Sequence, residues 1–160
     1  MIFAVYFAAW FAGHYFADHW VQNHRQAMTK GDPAAAGRSA CMRHVLTLTA
    51  TLAGFGLLAE LATGIRPPWY AVLAGLAWNA VTHYWADRAA FHPGKDGRKV
   101  TLERIADALR KTDFWNLGKG TVKADGSPAP TLGTGAYALD QSFHVAMVFL
   151  AALLVQVLSH

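Results

Sequence analysis

The 160-residue chain is poor in charge: Asp, Glu, Lys and Arg make up 15% of it, against about 25% in an ordinary soluble domain. So few charges exclude a disordered chain, a coiled coil and a nucleic-acid-binding module. There is a single cysteine, Cys41, which excludes a disulfide framework and any cysteine-based zinc site. Hydrophobic residues fill the gap at 54% of the chain. They gather into four apolar stretches separated by two polar, basic loops.

The stretches cover about residues 1–22, 41–63, 68–91 and 137–160. Each is close to the roughly 20 residues with which a helix crosses about 30 Å of hydrocarbon. A soluble helix shows a polar stripe along its length, whereas 45–59 and 145–155 are apolar all round. The expected fold is therefore all-α, a single four-transmembrane-helix bundle with basic loops at 23–40 and 92–136. Of the fourteen Lys and Arg residues, only Arg66 lies away from those two loops and their edges. The positive-inside rule then places both long loops in the cytoplasm and both termini outside, as in a multi-pass protein of a bacterial cytoplasmic membrane. Within the second loop, Leu102, Ile105, Ala106 and Leu109 recur at helical spacing among Arg104, Asp107, Arg110 and Lys111. That pattern predicts a short amphipathic helix lying on the inner leaflet. The Gly- and Pro-rich residues 118–135 read as a flexible segment.

Ionisable side chains inside a membrane span are costly and mark function by default. His14 and Asp18 form an H-x-x-x-D on the first stretch, and His83 and Asp87 repeat it on the third. Asp140 and His144 reverse it on the fourth, and His44 opens the second. Residues four apart on a helix are about 40° apart in azimuth and about 6 Å apart along the axis, so both can reach one ion. The alternating direction of the spans brings all seven to similar depth in the cytoplasmic half of the membrane. Four histidines and three carboxylates suffice for two divalent transition-metal ions, and imidazole with carboxylate suits zinc, manganese or iron. Gln22, Asn79 and Arg88 share a face with, or adjoin, these pairs and are candidates for orienting a ligand or meeting substrate.

Taken in order, His14/Asp18/Gln22, His44, His83/Asp87 and Asp140/Gln141/His144 resemble a family of small bacterial and phage multi-pass membrane proteins grouped as a domain of unknown function. Its pattern is H-x-x-x-D-x-x-x-Q, a histidine opening the next span, a second H-x-x-x-D and a closing D-Q-x-x-H. A more distant similarity is to membrane-bound metal-dependent hydrolases. The resemblance implies a site at these residues, with Gln141 added to it, and carries no activity of its own. The leading expectation is a metal-dependent hydrolase acting on a lipid-linked or phosphate- or ester-bearing substrate, with Asp18, Asp87 and Asp140 as the catalytic carboxylates. One alternative is a membrane metal transporter or a metal-binding protein without catalysis. Another is a structural or accessory phage-type membrane protein whose polar cluster packs its helices. The expected partners are membrane lipids and a small-molecule or lipid-linked substrate, with no nucleic acid. A homo-oligomer stays open.

Overall fold

The structure, a computed structural model, describes residues 1–89, 101–118 and 134–160. Most of the Gly- and Pro-rich stretch expected to be flexible lies outside these residues. All regular structure among the described residues is helical. Helix α1 spans Ile2–Phe16 and runs into a π-helical turn, Ala17–Val21. A short α2, His24–Thr29, leads to α3, Ala35–Thr63, and α4, Trp69–Ala89. The short α5, Thr101–Ala108, and α6, Thr112–Asn116, precede α7, Gly135–Leu158.

Two helices, Ala35–Thr63 and Gly135–Leu158, are long and apolar enough to cross a membrane. Of the other two stretches expected to span, α1 has 15 residues before the π turn. The 21-residue α4 carries Asn79, Thr82, His83, Asp87 and Arg88 in its second half, which lowers its apolar character. Length and composition together are thus met by two of the four.

The long helices pack pairwise, α1 against α3 and α7, and α4 against α3 and α7. Neighbours run antiparallel. The Tyr6 hydroxyl of α1 donates to Glu60 near the end of α3, and the backbone N–H of Phe3 donates to Gln156 Oε1 near the end of α7 at 3.0 Å. Gly64, at φ 73°, closes α3 in the left-handed conformation and returns its N–H to the Glu60 carbonyl at 2.9 Å. A side chain there would be strained.

The core is built from rungs four residues apart. Tyr6 and Trp10 on α1, Leu52 and Leu48 on α3, and Ala152 and Val148 on α7 are all buried. Trp10 is fully enclosed because two glycines make room for it. A Cβ on Gly75 would stand 2.7 Å from the Trp10 ring and 2.8 Å from Val155, and one on Gly56 would stand 3.1 Å from the indole nitrogen. Glycine at these two positions leaves free the space that the Trp10 ring occupies.

The amphipathic segment forms a helix as expected, but its apolar face turns inward. Leu102 and Ala106 bury against Trp115 and Ala136, leaving Ile105 and Leu109 exposed. Docking on α6 and the start of α7 buries part of the stripe that lipid was expected to cover.

Replacing Gly75 by Ala is expected to destabilise the fold by about 1–3 kcal/mol, the usual cost of overpacking. Gly54→Ala, whose Cβ would meet nothing within 4 Å, is expected to be neutral or slightly stabilising. Thermal unfolding of the two variants in one detergent, with helicity as the signal, checks the contrast.

Candidate metal centre

The four-residue rungs continue past the apolar core and change chemistry at one level. After Trp10 come His14 and Asp18 on α1, after Leu48 comes His44 on α3, and after Val148 come His144 and Asp140 on α7. On α4 the sequence is Asn79, His83 and Asp87, each 1% exposed. The seven residues expected to form a site therefore meet. They stack against the aromatic core, where a shift of one helix would disturb both.

All four histidines turn Nε2 toward a carboxylate. His14 lies 3.4 Å from Asp18 Oδ2, His44 3.2 Å from Asp18 Oδ1, His83 3.4 Å from Asp87 Oδ2 and His144 3.4 Å from Asp140 Oδ1. The Nε2 atoms of His44 and His83 are themselves 3.0 Å apart. A tetrahedral ion with ligand bonds of about 2.1 Å sets its donors roughly 3.4 Å apart, so these spacings match the edges of a coordination shell.

Two groups of donors could each hold an ion, His14/His83/His144 and Asp18/His44/His83. The carboxylates link them. Asp18 presents one oxygen to His14 and the other to His44, while Asp87 presents Oδ2 to His83 and to His44, at 3.6 Å, and Oδ1 to His144, at 3.9 Å. Each of these two carboxylates thus stands between imidazoles of different helices. Asp140 contacts His144 and accepts from Gln141 Nε2 at 3.4 Å. Among the described residues it meets none of the other three histidines.

The π turn serves Asp18. It widens the helix from Ala17 onward, with the Gln22 N–H donating back to the Ala17 carbonyl at 2.8 Å, at the level where Asp18 reaches both His14 and α3. Single π turns inside α-helices recur at functional sites. The same turn moves Gln22 off the expected face. Gln22 adopts an extended backbone, and its side-chain nitrogen is buried without a hydrogen-bond partner among the described residues. Asn79 Oδ1 is likewise buried and unpartnered one turn before His83.

The Nδ1 atoms of His14, His44 and His83 have no hydrogen-bond partner among the described residues. The second hydrogen bond that usually orients a metal-bound imidazole is replaced here by ring packing. The His83 and His144 rings lie 4.1 Å apart between centroids at 31°, and His14 stands 5.3 Å from both.

Lys30 joins the site, although its sequence position reads only as one more loop cation. Its ammonium lies 2.7 Å from Asp87 Oδ1, and its side chain is 17% exposed. Burial works against that charge, but the Asp87 and Asp18 carboxylates outweigh it and hold Lys30 above the usual lysine range. Arg88, a candidate for meeting substrate, is spent on the loop instead. Its guanidinium donates to the backbone carbonyls of Lys30 at 3.0 Å and Asp32 at 2.5 Å. The legible signal was the Asn23–Gln26 capping box, which marks a helical turn straight after the first stretch. It gives no direction, so the return of Lys30 toward Asp87 was not visible.

Glu60 and His19 stay outside the cluster. Glu60 is engaged by Tyr6, and His19 is exposed, bonded to the Tyr15 carbonyl at 2.9 Å and the Tyr137 hydroxyl at 2.7 Å. Comparisons with protein-family models, curated proteins and solved structures returned no match. The chemistry is accordingly read from the residues themselves.

In metal-chelated protein, Lys30→Met is expected to cost about 3 kcal/mol, the lower end for removing one partner of a buried ion pair. Because the folded protein raises the affinity of Lys30 for its proton, its contribution is fully present below the ordinary lysine value of 10.5 and fades only as pH rises through the higher folded value. The stability difference from wild type should therefore be the same at about pH 6 and about pH 9. Denaturant unfolding at both pH values checks it.

Proposed function

We propose that the chain is an integral membrane metalloprotein whose four long helices cross the bilayer as a bundle. It carries a dinuclear His/Asp centre in the cytoplasmic half of the membrane and acts as a metal-dependent hydrolase. The observation that carries this reading is the convergence of His14, Asp18, His44, His83, Asp87, Asp140 and His144 from four separate helices. Large apolar side chains on the outer faces support the membrane setting: Leu46, Leu58 and Leu61 on α3, Val81 on α4 and Val157 on α7 are all more than half exposed. Leaving such surface in water is unfavourable, and lipid removes the cost.

Electrostatics supports an ion pair of metals over a purely structural cluster. Three carboxylates face one ammonium, which leaves two negative charges in a dry site when the histidines are neutral. Uncompensated buried charge costs several kcal/mol per group, and divalent cations remove that cost while satisfying the imidazole nitrogens. Bound ions supply a water activated near neutral pH and a positive field at the ester oxygen.

The chain's own residues divide the remaining work. Asp18 and Asp87, each facing imidazoles of two helices, are the carboxylates that would hold the ions together with the histidines. Asp140, set to one side beside His144, is the carboxylate left to accept a proton from the attacking water. Gln141 steadies it. The His/Asp set without thiolate fits hydrolysis of a phosphoester or carboxylic ester, the substrate being lipid-linked or otherwise drawn from the inner leaflet.

Elemental analysis of purified protein in detergent tests the centre. Wild type should carry about two transition-metal ions per chain. His83→Ala, which removes the residue common to both donor groups, should lose both, and His14→Ala about one. Well-folded wild type that takes up no stoichiometric metal after reconstitution would sink the proposal. Asp140→Asn should keep its metal and lose about 100-fold or more in turnover of a phosphoester or ester substrate, the usual loss for a general base.

A further inference from the structure

We propose that Lys30 is the receptor for an anionic phosphoryl group, so that the α2 side of the centre is where a phosphate-bearing substrate binds. The inference rests on the metal-centre reading and adds to it a substrate class and an entry side.

The exposure of the residues is graded. His14 and His44 are fully buried, His83 and His144 nearly so, and Asp87 has no exposed side-chain surface. Asp18 retains 7% of its side-chain surface and Lys30 17%. Asp140 keeps 6%, so Lys30 is the most exposed of these groups and the opening for a polar substrate lies on its side.

Lys30 is also held there deliberately by its backbone. Its N–H donates to the Gln26 carbonyl at 2.9 Å, and its carbonyl and that of Asp32 accept from Arg88. Gly31 between them is buried. A lysine serving only to anchor a loop at the headgroups would extend its stem toward water and needs no such tether. The tether fixes the main chain, while the four-carbon stem leaves the ammonium free to move by a few ångströms.

Charge then gives the ammonium a task beyond neutralising Asp87. With two divalent ions bound and the histidines neutral, three carboxylates are more than balanced. The centre with Lys30 carries a surplus of two positive charges, which matches a phosphate monoester dianion. A cation that repels bound metal is a cost unless an anion shares the site. An ammonium with three donors can keep its contact to Asp87 and still give a hydrogen bond to a phosphoryl oxygen.

The test compares metal-loaded wild type, Lys30→Met and Lys30→Arg in detergent. Metal content is read by elemental analysis and binding of inorganic phosphate by calorimetry. A second arm uses micelles doped with a phosphomonoester lipid against micelles of phosphatidylcholine alone. Lys30→Met is expected to keep its metal and to bind phosphate about tenfold or more weakly, with Lys30→Arg recovering part of the loss, as for a charge-assisted contact. Binding of the doped micelles with the same dependence on residue 30 identifies a lipid headgroup as the source of the phosphate. Binding of inorganic phosphate alone identifies a soluble one, and either result upholds the receptor role. The assignment is overturned if loaded wild type binds no phosphate, if loaded Lys30→Met binds it as tightly as wild type, or if Lys30→Met loses its metal, which would make the lysine part of the scaffold. Wild type that takes up no metal overturns the metal-centre reading itself, a result separable from all of these.

Discussion

Three carboxylates buried in one small histidine-lined cluster are the constraint around which this molecule is organised. Asp18, Asp87 and Asp140 expose almost nothing to water, and like charges in one cluster strongly destabilise one another in a medium of low dielectric. The structure answers with one imidazole Nε2 against each carboxylate, a further imidazole where two helices meet, and the ammonium of Lys30 brought in from a loop. Arg88 holds that loop in place by its carbonyls, so a surface-facing cation on α4 stabilises a buried one. Each of these contacts compensates a buried carboxylate.

The apolar half of the molecule makes this tolerable by being rigid. Trp10 is lodged against Gly56 and Gly75, with Tyr6, Leu48, Leu52 and Val148 around it. The helices can therefore neither rotate nor slide without a clash. His14, His44 and His144 lie one turn beyond this layer on the same helix faces, and their positions follow from the packing above them. Catalytic or metal-binding geometry needs first contacts held to within about half an ångström by a supporting shell. Here much of that shell is hydrophobic, and among the described residues three of the histidines have no hydrogen bond at Nδ1.

Asp18 and Asp87 each face imidazoles from more than one helix. A polar network built only for packing satisfies each group once and pairs donors with acceptors. Here four imidazoles all direct Nε2 inward, and Asp18 and Asp87 are each shared by two or more of them. That sharing of carboxylates among imidazoles is the observation that supports the proposed centre.

Much of this was open to reading from the chain alone. The helical class followed from long apolar runs with few charges, and the site residues from His and Asp four apart in three places, because i,i+4 spacing is a local property that sequence states directly. Their meeting at one level followed from four apolar stretches of similar length alternating in direction. What required the tertiary structure were features without a local signature. The π turn at Ala17–Val21, which redirects Gln22, arises because Asp18 must reach α3 as well as His14. The inward face of Leu102 and Ala106 depends on Trp115 and Ala136 being there to receive it. The entry of Lys30 depends on Arg88, 58 residues away, bonding the backbone that carries it. Spacing along a helix is written in the chain, whereas the direction in which a loop returns is decided by the partners that satisfy its charge and its backbone.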